Sequence, residues 1–69
     1  MDKKNPYFHE LKGQMFFENG NFSNAIKSFL ISNSILPKEK GFKLFLAKSL
    51  YHSGSRINQE KSIELLLSY

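Results

Sequence analysis

His9, Glu10 and His52 are residues of this chain whose side chains suit metal binding or catalysis. His9 precedes Glu10, whereas His52 lies far along the 69-residue chain. Neither histidine has a second ligand three or four residues away, the spacing that places two ligands on one face of a helix. The chain contains no cysteine, which excludes thiolate ligands and Cys–His catalysis. We therefore predict a protein that is not an enzyme and has no metal site and no cofactor.

Basic residues form a second candidate site. The chain has ten Lys and Arg against six Asp and Glu, a formal net charge of +4, and this charge attracts acidic partners weakly. Lys38, Lys40 and Lys43 cluster near the start of a predicted helix. They could face nucleic acid or another acidic partner, but the small net charge favours a solvated helix start. Nucleic-acid binding is therefore the weakest of the functional hypotheses, and binding that did not weaken with salt would dispose of it.

Apolar residues recur with the period of a helix in four segments, and no segment alternates long enough to form a strand. The sequence therefore predicts an all-α protein with helices at about 7–18, 23–36, 38–52 and 58–68. The apolar residues of the first helix are Phe8, Leu11, Met15 and Phe16. Those of the second, which we expect to be buried, are Phe22, Ala25, Ile26, Phe29, Ile35 and Leu36. The third carries Phe42, Phe45, Leu46, Ser49 and Leu50, and the fourth carries Ile63, Leu66 and Leu67.

Glycine, proline and asparagine mark the ends of these helices. Asn5 can cap the first helix, and Pro6 suits its first turn, where a missing N–H costs nothing. Gly20 follows the first helix as a residue that adopts the left-handed conformation, and Gly54 breaks the third. Pro37 cannot continue the second helix.

The chain resembles itself when it is shifted by 34 residues. The shift aligns Phe8 with Phe42, Leu11 with Phe45, Gly13 with Ala47, Phe16 with Leu50, Phe17 with Tyr51 and Gly20 with Gly54. After an insertion of three residues near 55–58, it aligns Ala25 with Ser62, Ile26 with Ile63, Phe29 with Leu66 and Leu30 with Leu67. We therefore predict a disordered segment at 1–5, a first unit at 6–37 and a second unit at 38–69.

A 34-residue period of helix–turn–helix units is typical of the tetratricopeptide repeat, and residues 6–69 resemble that family. The family's small, aromatic and turn positions in the first unit are occupied by Gly13, Phe16, Gly20, Phe22, Ala25, Phe29 and Pro37. The sequence departs from the family at His9 and Lys12, where Trp and Leu are usual, and at Ser62, which replaces Ala. The resemblance implies two antiparallel hairpins stacked as a short right-handed α-solenoid without a capping helix, and it implies protein binding.

A narrower similarity concerns the fifteen residues PYFHELKGQMFFENG. This segment is similar to repeats in the C-terminal part of bacterial periplasmic zinc peptidases. The HExxH motif of the peptidases is absent, because Gly13 stands where the second histidine would be. The alternative hypothesis is therefore a repeat segment of a larger bacterial zinc peptidase or envelope protein, with the chemistry elsewhere.

The N-terminal residues lack the apolar core of a signal peptide. No segment approaches the ~20 apolar residues of a membrane span, so we expect no membrane insertion. As written, the chain is expected to be cytoplasmic. A periplasmic location is expected if it is a fragment of an exported peptidase.

In tetratricopeptide repeats the first helix of each unit lines a concave groove that binds peptides or partner helices. On this chain that face consists of Tyr7, Glu10, Gln14 and Phe17 in the first unit and Leu44, Lys48 and Tyr51 in the second, with His52 as a further candidate. Aromatic residues anchor a ligand well because they bury a large area at low entropic cost. The expected ligand is a protein or peptide, not a small molecule. The competing interpretation is that Phe17 and Tyr51 belong to the core or are covered by another chain.

The second unit ends on apolar side chains that no capping helix follows, namely Ile63, Leu66 and Leu67. Repeat arrays usually need three or more units and a polar cap. Burying one leucine stabilises a protein by ~1.5–3 kcal/mol relative to leaving it exposed. We therefore expect these three residues to form a self-association surface, in a homo-oligomer or in a longer repeat array.

Overall fold

A computed structural model of the protein describes residues 4–67. In this part of the chain four α-helices follow one another without any strand: α1 (Pro6–Glu18), α2 (Phe22–Ile35), α3 (Lys40–His52) and α4 (Arg56–Leu67). The predicted all-α class with four helices is confirmed. Residues 1–3 of the segment predicted to be disordered, and Ser68 at the predicted end of the fourth helix, lie outside the described residues.

Side chains and glycines at the helix ends explain where the first helices begin and end. Asn5 Oδ1 accepts a hydrogen bond from the backbone N–H of Tyr7 at 2.9 Å and so caps α1, and Asn21 caps α2. Gly20 and Gly54 have φ angles of 76° and 81°, in the left-handed region that glycine adopts readily after a helix. Asn5 and both glycines therefore have the roles predicted from the sequence.

The third helix begins two residues later than predicted, at Lys40. The backbone N–H of Glu39 donates to the carbonyl oxygen of Leu36 at 3.2 Å, which closes a turn over Pro37. The carboxylate of Glu39 then accepts a hydrogen bond from the N–H of Gly41 at 3.2 Å. Glu39 is thus the N-cap of α3, and the residues before it belong to the turn.

The two hairpin turns have the same length. Residues 19–21 connect α1 to α2, and residues 53–55 connect α3 to α4. The extra residues inferred from the alignment therefore lie within α4, which begins at Arg56. The second hairpin carries them as additional helix and not as a longer turn.

The helices pack as two antiparallel pairs in chain order. α1 packs on α2, α3 packs on α4, and α3 also contacts both helices of the first pair. Ser32, near the end of α2, donates a hydrogen bond from Oγ to the carbonyl oxygen of Pro6 at 2.8 Å. Because Pro6 begins α1, this bond shows that the two helices run in opposite directions. α3 is therefore the helix that joins the two hairpins.

Phe29 of α2 forms the centre of the core. Its side chain is fully buried, and its ring is stacked on the ring of Phe45 in α3 with 5.4 Å between centroids. α1 approaches the same ring at Gly13, where an added Cβ would lie 2.7 Å from Phe29 Cε1. Gly13 therefore lets α1 approach α2 closely, and the small side chain of Ala25 is fully buried. The buried core cluster consists of Ala25, Phe29, Leu46 and Leu50.

Several apolar residues lie outside this core. Leu11 and Met15 are 55% and 58% exposed, on a face of α1 that neither α2 nor α3 covers. The prediction that Ile35 and Leu36 are buried is wrong, since both are exposed. Ser32 is already level with the start of α1, so the last turn of α2 extends past the helix that would have covered it.

Gly13→Ala should destabilise the protein, although alanine favours helices. The new methyl group would lie 2.7 to 2.9 Å from three atoms of the Phe29 ring, and Phe45 is stacked on that ring. Overpacking of this kind costs about 1–3 kcal/mol, whereas the gain in helix propensity is at most about 1 kcal/mol. We expect the free energy of unfolding to fall, by up to about 2 kcal/mol when the full gain in propensity is subtracted, as measured by urea unfolding followed by circular dichroism.

Gly41→Ala in α3 is the matched control. The nearest atom to its added Cβ would be Glu39 Oε1 at 3.5 Å, an ordinary contact distance. This variant should be neutral or more stable by up to about 1 kcal/mol. Equal losses of stability in the two variants would show that the Phe29 ring does not restrict position 13.

Candidate functional site

α1 and α3 lie side by side and run in the same direction. At their starts the ring of Tyr7 meets the ring of Phe42 edge to face, with 5.6 Å between centroids. At their ends Phe17 meets His52 in the same way, again at 5.6 Å. The partners are 35 residues apart in both contacts (7 to 42 and 17 to 52). A constant offset at both ends requires two parallel helices in fixed register.

The residues predicted to line a groove form one row on each of these helices. Within each row, residues are three or four positions apart and so share one helix face. The structure therefore places the two rows on adjacent parallel helices. The row on α1 consists of Tyr7, Glu10, Gln14 and Phe17, and the row on α3 consists of Leu44, Lys48 and Tyr51.

The two tyrosines of these rows are exposed, while the phenylalanine is partly covered. Tyr7 is 54% exposed and Tyr51 is 53% exposed. Phe17 is half-buried between the rings of Phe22 and His52, with centroid distances of 5.3 and 5.6 Å. Phe17 is therefore partly buried, as the competing core interpretation predicts for it. Tyr51 is not buried by the other described residues of this chain.

His52 links the aromatic residues at this end of the site. Its ring stacks on Phe22 at 5.9 Å and makes an edge-to-face contact with the ring of Tyr51 at 5.7 Å. The side chain of His52 is exposed, so the cluster of Phe17, Phe22, Tyr51 and His52 presents aromatic surface to solvent. His52 directly follows Tyr51, the last residue of the row on α3. This position is the sequence signal that places His52 in the site.

A surface cavity of ≈ 150 Å³ lies between α3 and α4. It is lined by Leu44, Ala47, Lys48, Tyr51, His52, Ser62 and Leu66. The cavity thus brings together the whole predicted row of α3 and Leu66, a residue of the predicted self-association surface. The side chain of Leu66 is 47% exposed. Ile63 and Leu67 are exposed on α4 and do not line it. Ala47 and Ser62 are site residues that the sequence pattern did not predict, although the repeat aligns them with the small residues of the first unit.

Charged side chains occupy the middle of the site. Burial raises the pKa of the Glu10 carboxyl above its ordinary value of 4.5, and the nearby negative charge of Glu39 raises it further. Glu39 is held in place because it caps α3. On α3, Lys48 Nζ lies 5.7 Å from the centroid of the Phe45 ring, within the range of a cation–π contact.

The described residues offer no metal site. Within residues 4–67, no three side chains of His, Cys, Asp or Glu are grouped so that they could hold an ion. His9 instead lies against the ring of Phe8, with 5.2 Å between centroids. In the same part of the chain, no helix has the length and apolar character needed to cross a membrane.

Comparison of the chain with models of protein families, with curated proteins and with solved structures finds no match. The function must therefore be inferred from the packing and the surface described above.

Glu10→Gln should stabilise the protein at neutral pH. Because the folded state raises the pKa of Glu10, its ionised form destabilises the folded state relative to the unfolded chain. The stability associated with this group is fully present below pH 4.5 and is lost as the pH rises through the folded-state pKa. The stability gained by Glu10→Gln should therefore develop as the pH rises through the folded-state pKa of Glu10 and vanish below pH 4.5. Urea unfolding across the pH range measures this difference.

Two further variants identify the cause. Glu39→Gln keeps an oxygen to cap α3 but removes the charge, so it should reduce the advantage of the Glu10 substitution. Glu64→Gln, at an exposed position on α4, should leave the pH dependence unchanged. If Glu64→Gln changed the pH profile as much as Glu10→Gln, the local burial of Glu10 would not be the cause.

Proposed function

We propose that the chain is a tetratricopeptide-type repeat module of two units, with no catalytic activity, that binds a peptide or partner helix along α1 and α3. The observation that carries the proposal is the pair of residue rows on these two parallel helices, with an exposed tyrosine in each row. The tyrosines supply apolar anchors, while the amide and charged side chains between them supply polar contacts.

The repeat part of the proposal is supported by the spacing of the helices. α1 and α3 begin 34 residues apart (Pro6 and Lys40) and also end 34 residues apart (Glu18 and His52). Each of these helices pairs with the helix that follows it, and α3 contacts both helices of the first hairpin. This order of contacts is the one expected when helix–turn–helix units stack on their neighbours into a solenoid.

The groove part of the proposal is supported by the balance of burial within the rows. Tyr7 is exposed, yet its ring contacts the fully buried Phe42, which restricts the ring before a ligand arrives. Tyr51 is likewise in contact with His52. Aromatic side chains that are held in place in the free protein lose little entropy on binding, so they contribute efficiently to affinity. The same ligand could pair a basic group with Glu10 and an acidic group with Lys48.

The end of the second hairpin adds a second surface to the proposal. Ile63, Leu66 and Leu67 of α4 are exposed apolar side chains. Exposed apolar residues that adjoin a cavity are typical of interaction sites. We propose that this end associates with another copy of the chain or with a further repeat.

The groove can be tested with a peptide selected from a random displayed library. An NMR titration should show amide shift changes concentrated along the two rows on α1 and α3. Tyr51→Ala removes an exposed anchor and should weaken binding about tenfold or more, as measured by calorimetry.

Ile31→Ala is the matched control, because it removes an exposed apolar side chain from α2, outside the proposed groove. It should leave the affinity unchanged. Shift changes confined to α2 and α4, together with full binding by Tyr51→Ala, would rule out the groove as the peptide site.

A further inference from the structure

In the first hairpin, α3 covers a defined set of residues. Phe29 is stacked on Phe45 of α3, and Phe17 contacts His52 of α3. Ala25 lies in the same buried cluster as two leucines of α3. The surface that α1 and α2 offer to the second hairpin is therefore built around these side chains.

The second hairpin carries a corresponding surface. The counterparts in the internal repeat are Tyr51 for Phe17, Ser62 for Ala25 and Leu66 for Phe29. All three counterparts line the cavity of ≈ 150 Å³ between α3 and α4. No other helix in residues 4–67 covers Tyr51 and Leu66, which remain about half exposed.

α3 packs on the first hairpin with one of its faces. The corresponding positions of α1 form a similar face. Under the 34-residue shift, Leu11 corresponds to Phe45 and Met15 corresponds to Ser49. Phe45 is half-buried and Ser49 is fully buried. Leu11 and Met15 are both more than half exposed. The second hairpin thus has an uncovered surface beside the cavity. At the other end of the molecule, α1 has an uncovered face that corresponds to the face with which α3 covers the first hairpin.

We propose that α1 of a second copy of the chain docks on the cavity between α3 and α4, so that copies stack head to tail. Leu11 of one copy would lie against Leu66 of the next, as Phe45 lies against Phe29 within the chain. The contact continues the interface that α3 already makes with the first hairpin. This proposal rests on the repeat part of the proposed function and does not depend on peptide binding.

The proposed contact between copies lacks a charge repulsion that is present within the chain. Within the chain, Glu10 and Glu39 repel each other where α1 meets the start of α3. At the contact between copies, Leu44 of one copy, which lines the cavity, takes the place of Glu10. Asn5 of the next copy, which caps α1, takes the place of Glu39. Neither residue is charged, so the repulsion inside the chain has no equivalent between copies.

Lys12 of α1 weakens the match. Its counterpart in α3 is Leu46, a core residue that is almost fully buried. Lys12 Nζ lies 5.9 Å from the centroid of the Phe16 ring, so its aliphatic stem can cover apolar surface while its charge stays in water. The lysine therefore limits the strength of the contact without excluding it.

The symmetry of the contact gives it a distinct signature. Two different surfaces meet, so each added copy leaves one surface of each kind free, and growth stops only if a ring closes. A symmetric dimer formed through two Leu66 surfaces would stop at two copies. The net charge of +4 per copy opposes assembly, so moderate salt should promote it by screening.

Two single substitutions test the proposal. Leu11→Glu blocks the α1 surface and Leu66→Glu blocks the cavity surface. By sedimentation analysis, the unmodified chain should assemble as its concentration rises, whereas each variant alone should remain monomeric. A mixture of the two variants retains one intact surface of each kind and should form a one-to-one heterodimer and nothing larger.

Three outcomes would overturn the proposal: an unmodified chain that stays monomeric, a Leu11→Glu chain that still dimerises, or a mixture without heterodimer. Ile31→Glu places the same charge on an exposed residue of α2 and should assemble like the unmodified chain. If a glutamate variant fails to fold by circular dichroism, the corresponding serine variant replaces it.

A gain of association provides an independent test that needs no loss of folding. Lys12→Leu copies Leu46 into α1 and should strengthen assembly about tenfold or more, and this gain should disappear when Leu66→Glu is added. A Lys12→Leu chain with unchanged association would contradict the proposed register. Peptide binding measured on the Leu11→Glu chain reports on the groove alone, so failure of the groove and failure of the assembly can be told apart.

Discussion

The fold depends on the contact of one aromatic ring with the two helices that neighbour its own. Phe29 belongs to α2, lies against α1 at Gly13 and is stacked on Phe45 of α3. Because protein cores are packed as densely as organic crystals, this ring fixes the distance from α2 to both neighbours at once. A residue with a side chain at position 13 would separate α1 from α2, and a smaller residue at position 29 would leave α3 without its support.

The position of α3 in turn determines the exposed site. Once α3 is held against the first hairpin, the contacts of Tyr7 with Phe42 and of Phe17 with His52 set α1 and α3 in one register. The rows on the two helices then follow from the helical period alone. The surface that we propose as a groove is thus a consequence of how α3 packs on the first hairpin, and Tyr7 and Phe17 contribute to that packing through these ring contacts.

The sequence predicts most of this fold because its signals are local. Asn5, Gly20 and Gly54 mark helix ends by their own chemistry, and Gly13 indicates a close approach by the size of its side chain. The start of α3 and the exposure of Ile35 could not be predicted in the same way. Both depend on how far one helix extends past another, which is a property of the packed pair and not of either segment. The cavity beside α4 also could not be predicted from periodicity, because it depends on how α3 and α4 pack against each other.

The proposed assembly and the proposed groove are physically connected. Lys48 and Tyr51 belong to the α3 row and also line the cavity, so docking of a second α1 would place its own row beside theirs. Head-to-tail stacking would therefore lengthen the groove across the junction between copies. A ligand that spans the junction would contact two copies and would stabilise their association. By thermodynamic reciprocity, association would raise the affinity for that ligand by the same factor.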